Sequence, residues 1–152
     1  MRAVIQRVRD ASVTVDGSLI GSIDKGLLIY LGVVDSDTPE LCGKMAAKIS
    51  KMRLFRDADD KMNLSVADTG GDILVVSQFT LYANLHKGNR PSFDGAGRPE
   101  HAEKMYELFM QELRSMGFNV QHGIFGAHMH VRYENDGPVT IIADSDDLFG
   151  SR

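Results

Sequence analysis

Two short polar segments hold the residue types best suited to chemistry in this chain. Ser77–Thr80, "SQFT", places two hydroxyls and an amide around one aromatic ring, and Asn135–Thr140, "NDGPVT", contains a Gly-Pro bond. An X-Pro bond is the peptide bond most able to adopt a cis geometry. Each segment follows or borders an apolar run, so we expect each one to lie where a strand ends and a turn begins. Folded scaffolds usually hold reactive groups at such places.

The hydroxyls of Ser77 and Thr80 leave two interpretations open. A hydroxyl nucleophile needs an adjacent base, and no histidine or carboxylate lies close to them in sequence. They either bond to the backbone at the strand end or take a direct part in chemistry. The strand end also leaves backbone N–H groups outside the hydrogen-bond ladder. Those of Phe79 and Thr80 could form an oxyanion hole for an ester carbonyl.

Three histidines have a spacing that deserves a test for metal binding. His128 and His130 are two residues apart on a predicted strand, and His122 lies on the preceding one. Such a group can bind zinc. However, alternation along the strand puts Met129 and Val131 on the opposite, apolar face. We therefore expect the histidines to face solvent, and we expect no metal and no cofactor.

Four motifs in order along the chain resemble those of the D-aminoacyl-tRNA deacylases. They are "IQRV" at 5–8, "SQFT" at 77–80, "RPSF" at 90–93 and "NDGPVT" at 135–140. The segments "ASVTVDG" and "KMNLSV" also fit, so the resemblance covers nearly the whole chain. It implies hydrolysis of the ester that joins a D-amino acid to the terminal adenosine of tRNA. Glycyl-tRNA is implied as a further substrate, because glycine has no Cβ.

The resemblance also implies roles for individual residues. The backbone amides of Phe79 and Thr80 would hold the oxyanion, while Ser77 and Gln78 would orient the terminal ribose and adenine. The 2′-hydroxyl of the substrate would assist the attack of water. A cis bond between Gly137 and Pro138 would project two carbonyl oxygens into the active site of the other subunit of a homodimer.

Those carbonyls would fix the substrate's α-amino group and exclude an L-oriented Cβ. Excluding the wrong substrate with a rigid wall is a common route to specificity. Arg7 would brace the Gly-Pro segment, and Phe125 and Met129 would line the adenine side. The implied partners are aminoacyl-tRNA and a second copy of the chain. Two alternatives remain: another hydrolase with Thr80 as covalent nucleophile, and a non-catalytic RNA-binding module.

The positions of apolar residues predict an α+β fold with two long helices. Thr38-Pro39 and Pro99-Glu100 start two segments with apolar residues at helical spacing. Alternating or β-branched runs predict strands at 2–8, 12–15, 26–34, 72–79, 119–125, 127–134 and 139–143. We expect one domain, residues 1–152, with an antiparallel or mixed, barrel-like sheet packed by the helices. The acidic segment 144–152 lacks a pattern, so we expect it to be mobile or packed on a partner.

Composition indicates an ordinary globular protein. The chain has 152 residues, 43% hydrophobic and 25% charged, and a net charge of −4. No apolar run approaches the roughly 20 residues of a membrane span, and the single cysteine, Cys42, fits a reducing cytoplasm. Because the net charge is negative, any RNA contact needs a local basic patch. One candidate is a helix face with Lys44, Lys48 and Lys51, followed by Arg53 and Arg56, for which a solvated helix face is an equally good interpretation. The other is a loop with Lys87 and Arg90.

Overall fold

A five-stranded mixed sheet organises the computed structural model, which describes residues 1–150. The strands lie in the order β6-β5-β2-β1-β7, and a separate two-stranded sheet pairs β3 with β4. The strands are β1 (Arg2–Val15), β2 (Ser18–Gly32), β3 (Phe55–Arg56), β4 (Met62–Leu64), β5 (Asp72–Ser77), β6 (Val120–His122) and β7 (His130–Asp144), and the helices are α1 (Pro39–Ser50), α2 (Pro99–Ser115) and α3 (Ser145–Phe149). A 3-10 turn, Phe79–Tyr82, follows β5.

The apolar run after Gly26 forms the middle of the sheet, as predicted. It belongs to β2, which pairs with β1 in antiparallel fashion and with β5 in parallel. Leu27, Leu28 and Ile29 are fully buried. Strands covered on both faces have continuous apolar runs rather than alternation. The Asp16-Gly17 turn joins β1 to β2, also as predicted.

Both long helices begin where the sequence predicts. The Thr38 hydroxyl accepts a hydrogen bond from the amide of Leu41 at 3.3 Å and so caps α1. Proline occupies the first turn of each helix. The helices pack against each other and bury Met45, Ile49 and Phe109 in the core with one face of the sheet.

The segment around Gly137 differs from the prediction of a turn between two strands. It lies within β7, which runs without interruption from His130 to Asp144 beside β1. The register shifts there: Gln6 pairs with Thr140, whereas Val8 pairs with Asn135. Extra residues on one strand of a pair produce a bulge, which bends the strand and aims its residues outward. The Gly-Pro segment is therefore a bulge on an edge strand.

Other elements also correct the sequence-based expectations. β1 is one strand rather than two, β6 is shorter than the predicted strand 119–125, and residues 127–129 precede β7. Within residues 1–150, β6 and β7 form the two edges of the sheet and do not pair, so the sheet is open rather than barrel-like. No helix in the described part of the chain is long and apolar enough to cross a membrane.

The acidic end of the chain contains a helix that the sequence pattern did not predict. Asp144 ends β7, and its side chain caps α3 by accepting from the amide of Asp146 at 3.0 Å. Ser145 is buried and donates its amide to the carbonyl of Met1 at 2.9 Å. Packing on a partner stays a prediction for this segment. Its last two residues, Ser151 and Arg152, lie outside the described residues.

Candidate active site

The Ser77–Thr80 segment lies where β5 ends against the middle of the sheet. The amide of Gln78 donates to the carbonyl of Leu31 at 2.8 Å, which fixes the backbone just before the 3-10 turn. Gln78 Nε2 donates to Thr80 Oγ1. Among the backbone hydrogen bonds of residues 1–150, none has the amide of Phe79 or Thr80 as donor. The first N–H groups of a helical turn lack partners within it, so these two donors are available.

This segment forms one wall of a pocket of about 620 Å³. Ser77, Gln78 and Phe79 line it, and so do Phe125 and Met129 from the segment that links β6 to β7. The structure thus brings together five residues that the sequence analysis assigned to one site. A Cβ at Gly123 would collide with the sulfur of Met129, so the glycine gives Met129 its place in the wall.

Several pocket residues were not assigned to the site from sequence. Phe93 packs edge-on against Phe79, with ring centroids 4.9 Å apart and planes at 72°. The amide of Gly97 donates to the carbonyl of Val33 at 2.8 Å, which attaches the segment before α2 to the end of β2. Arg98 also lines the pocket. Phe93 belongs to the "RPSF" motif, and that motif was the available sequence signal.

An ion pair holds Arg98 at the pocket rim. Its backbone amide donates to Asp35 Oδ1 at 2.8 Å, and its Nε lies 3.3 Å from Asp35 Oδ2. The bond from this backbone amide holds the pKa of Asp35 below its usual range. Both side chains are largely exposed to solvent. The pair therefore orders the rim, while its contribution to stability is small, as for most surface ion pairs.

The histidines are exposed, as expected, but His128 precedes β7 and does not lie on the predicted strand. His128 and His130 are exposed, and their ring centroids are 5.1 Å apart, so they share one face. His128 also lines the pocket. Within residues 1–150, no group of three or more His, Cys, Asp or Glu side chains could hold a metal ion together.

The 3-10 turn is held from behind by Arg2. Arg2 Nη1 donates to the carbonyl of Leu81 at 2.9 Å, and the guanidinium of Arg2 lies 4.8 Å from the centroid of the Tyr82 ring. Arg2 Nε donates to Asp144 Oδ2 at 2.7 Å. The first residue of β1 and the last residue of β7 thereby support the turn that carries the Phe79 and Thr80 amides.

The other predicted site segment lies apart from this pocket. Gly137 and Pro138 are exposed, their peptide bond is cis, and neither residue lines the pocket of Ser77. Gly137 borders a separate, polar cleft of about 480 Å³. Its φ is +137°, and a Cβ would lie 2.9 Å from the Val139 amide nitrogen. Only glycine accepts this conformation and this close approach without strain.

Arg7 supports the Gly-Pro segment from below. Its side chain is 6% exposed. The Nε atom donates to the carbonyl of Asp136 at 3.0 Å, and Nη1 donates to the carbonyl of Leu54 at 2.8 Å. A buried guanidinium that donates to two backbone carbonyls fixes the segments to which it bonds. Arg7 thus contacts the segment that it was expected to brace.

Comparison with known proteins identifies the family of the chain. A family model described as D-Tyr-tRNA(Tyr) deacylase matches residues 4–144. The chain belongs to the D-aminoacyl-tRNA deacylase family. The deacylase of Koribacter versatilis is 52% identical over 145 residues, which cover 95% of this chain and 97% of that protein. The deacylase of Thermotoga petrophila is 52% identical over 149 residues, or 98% and 100% of the two chains.

A solved structure is also similar over nearly the whole chain. It is titled "c-Myc DNA Unwinding Element Binding Protein" and is 43% identical to this deacylase. The match covers 95% of this chain and 99% of that one, with a TM-score of 0.89. The α+β fold, with its mixed sheet and helices, is therefore shared with a solved relative.

The single thiol of the deacylase lies outside the pocket. Cys42 is fully buried in α1, and its Sγ lies 3.4 Å from the carbonyl of Met105. Burial, together with the nearby carboxylate of Asp37, raises the pKa of this thiol to about 11. A thiol needs its thiolate form to act as a nucleophile. Cys42 is accordingly a packing residue.

Proposed function

We propose that this chain hydrolyses the ester bond of D-aminoacyl-tRNA, which returns free tRNA and a D-amino acid. The observation that carries the proposal is the Ser77–Thr80 segment. Its residues Ser77, Gln78 and Phe79 line a pocket of about 620 Å³, while Thr80 follows them without lining it. Within residues 1–150, the backbone amides of Phe79 and Thr80 have no backbone acceptor, and the motif resembles the family's. Removing D-amino acids from tRNA is a proofreading step that precedes translation.

The amides of Phe79 and Thr80 stabilise the oxyanion in this mechanism. Water attacks the ester carbonyl carbon, and negative charge develops on the carbonyl oxygen. The bond to the ribose oxygen then breaks, and that oxygen takes the proton released by the water. Fixed N–H donors aimed at the developing charge are worth about 100- to 1000-fold in rate. The 2′-hydroxyl of the terminal ribose assists the attack, so no side-chain nucleophile is needed.

The other pocket residues hold the terminal adenosine. Ser77 and Gln78 lie beside the two amides and orient the ribose and the base. Phe125 and Met129 supply apolar surface for the face of the adenine. Aromatic and thioether side chains are suited to such stacking contacts. The mixture of a largely apolar wall and a few polar groups supports this assignment, because ligand pockets usually have it.

The Gly137–Pro138 segment selects the stereochemistry from a second copy of the chain. It is exposed and held by buried Arg7, yet it does not line the pocket of its own protomer. We propose a homodimer in which this bulge enters the partner's pocket and blocks an L-oriented Cβ. Glycine has no Cβ, so glycyl-tRNA is accepted as well.

Release of labelled amino acid from D-tyrosyl-, L-tyrosyl- and glycyl-tRNA tests the proposal. We expect rapid release from the D-tyrosyl and glycyl substrates and little release from the L-tyrosyl one. Equal release of D- and L-tyrosine would refute selection by the bulge. Binding of tRNA without any release would favour the RNA-binding module.

A substitution at Phe79 tests the oxyanion hole separately. Phe79→Pro removes one N–H donor at the first position of the 3-10 turn, where the φ of proline fits. The preceding residue, Gln78, has φ −144° and ψ 82°, outside the helical region that a following proline disfavours. We expect a loss of about 100-fold in kcat. Phe79→Ala is the control, since it removes the ring but keeps the amide.

The alternative with Thr80 as covalent nucleophile makes a different prediction. Thr80→Ala keeps both backbone donors, so the proposed mechanism retains measurable deacylation. Removing a covalent nucleophile from a hydrolase costs about a millionfold in kcat. A loss of that size with unchanged substrate binding, or a trapped adduct on Thr80, would support the alternative.

A further inference from the structure

A basic loop, residues 85–91, projects from the rim of the active-site pocket. Asn84 and Ser92 form an antiparallel bridge at its base, with N···O distances of 2.8 and 2.9 Å. The loop starts three residues after Tyr82, where the 3-10 turn ends. On the other side it ends two residues before Phe93, which packs on Phe79. Both ends of the loop are thus attached to the segment that offers the free amides.

The loop carries positive charge that no acid neutralises. Lys87 and Arg90 are exposed, and residues 84–92 contain no Asp or Glu. Within residues 1–150, neither residue takes part in an ion pair. Lys87 lies three residues from the bridge, which is at most about 10 Å of extended chain. The two charges therefore lie within a few nucleotides' length of the pocket.

The other basic candidate, the face of α1, differs from the loop in the neutralisation of its charge and in its position relative to the pocket. Lys44 pairs with Glu40 at 2.8 Å, so part of its charge is neutralised within the helix. None of its lysines lines the pocket of Ser77. Lys48 and Lys51 are exposed and unpaired among the described residues. They offer the same charge as the loop but no attachment to the active-site segment.

We propose that Lys87 and Arg90 bind backbone phosphates of the single-stranded 3′ end of tRNA, next to the adenosine in the pocket. This inference rests on the proposed function for the identity of the polyanion. A protein with a net charge of −4 needs local cations where the strand approaches. Lysine and arginine contacts to phosphate position a nucleic acid without reading its sequence. The loop therefore holds tRNAs of different sequence in the same orientation.

The salt dependence of tRNA binding tests the loop without requiring catalysis. The binding constant of uncharged tRNA is measured for the wild type, for Lys87→Gln/Arg90→Gln, and for Lys48→Gln/Lys51→Gln as a control of equal charge change. Each phosphate contact to a single strand contributes about 0.7 to the slope of log K against log salt. We expect the loop variant to have a slope about 1.4 less steep than the wild type. The control is expected to keep the wild-type slope.

Hydrolysis of two substrates then locates the contact. The loop variant should have a raised KM for D-tyrosyl-tRNA, with a much smaller change for 3′-O-D-tyrosyl-adenosine, which has no phosphate. Equal slopes for all three proteins, or an equal loss on both substrates, would overturn the loop proposal. If the wild type binds tRNA but cleaves neither substrate, the proposed function fails. The slopes then still decide whether the loop contacts phosphate.

Discussion

The pocket turn and the Gly-Pro bulge are supported in the same way but differ in shape. In both, an arginine of β1 donates to a backbone carbonyl: Arg2 to Leu81 at 2.9 Å, and Arg7 to Asp136 at 3.0 Å. The turn borders a concave pocket, whereas the bulge is exposed and lines only a polar cleft. Strand β1 therefore positions both the turn that borders the pocket and the exposed Gly-Pro bulge.

The difference in shape shows what each region lacks. In the proposed mechanism the amides of Phe79 and Thr80 hold the reacting carbonyl, whereas Gly137 and Pro138, which would test the configuration at Cα, do not line this pocket. The bulge is held by Arg7, and the polar cleft that it borders contains none of the residues Ser77–Thr80. Two copies of the chain would supply both parts to one site, as a symmetric dimer does twice.

Gly137→Ala should have an effect as large as that of Phe79→Pro. The added Cβ meets the Val139 backbone, and φ +137° is unfavourable for any residue with a Cβ. We expect kcat/KM for D-tyrosyl-tRNA to fall about 100-fold, as for a misplacement of about 1 Å, and discrimination against L-tyrosine to weaken. Gly95→Ala is the control, because its Cβ would meet only Tyr82 O at 3.9 Å. Unchanged kinetics for Gly137→Ala would contradict the role of the bulge.

Arg7→Lys should weaken the same bulge with a smaller kinetic effect. Lysine has a single side-chain nitrogen, so it cannot replace the buried guanidinium, whose Nε and Nη1 donate separately to the carbonyls of Asp136 and Leu54. We expect a loss of about 2 kcal/mol in the free energy of unfolding, measured by urea titration. The ratio of the deacylation rate for D-tyrosyl-tRNA to that for L-tyrosyl-tRNA (the D/L ratio) should also fall. Arg9→Lys should change the free energy of unfolding by less than about 0.5 kcal/mol. Arg9 is 61% exposed and contacts Asp136 only at 3.5 Å.

Arg2→Lys tests the support of the pocket turn. The substitution keeps the charge but loses the planar fork that reaches Leu81 and Asp144 together. We expect kcat for D-tyrosyl-tRNA to fall about tenfold, because the amides lose their fixed position, as for one weakened donor. The D/L ratio should stay at the wild-type value. A changed ratio would show that the two regions are not independent.

Cys42 should have the smallest effect. Its pKa of about 11 leaves almost no thiolate at pH 8, and the side chain is fully buried. Incubation of the folded protein with iodoacetamide at pH 8 should leave Cys42 unmodified and activity unchanged. Modification should appear on adding urea, when the thiol titrates near about 8.5. Rapid alkylation of the native protein with loss of activity would show that the helix is displaced or open.

The local parts of the fold could be predicted from the sequence. Thr38-Pro39 marks the start of α1 because capping is decided within one turn, and the run after Gly26 identifies a strand buried on both faces. The bulge could not be predicted in the same way. Whether residues 135–140 form a turn or stay in β7 depends on pairing with Gln6 and Val8, more than a hundred residues away.

The site was predictable only in part, for the same reason. The resemblance to the family assigned Ser77–Thr80 and Phe125 to one site, but spacing along the chain alone does not predict that they come together. That requires β5 and β6 to pair in parallel, as Val75 and His122 do. Helix α3 was missed because five residues are too few for a periodic pattern. Its signal was the cap at Asp144 followed by two acidic residues.

Mixed dimers test the central claim, that the pocket of one chain works with the bulge of the other. Phe79→Pro and Gly137→Ala chains with different tags are co-expressed, and the mixed dimer is isolated on both tags. In the mixed dimer, one of two sites combines an intact pocket with an intact bulge. We predict about half of the wild-type rate on D-tyrosyl-tRNA, since a symmetric dimer has two equivalent sites. A mixed dimer no more active than the two parent variants, or an active monomer, would contradict the account.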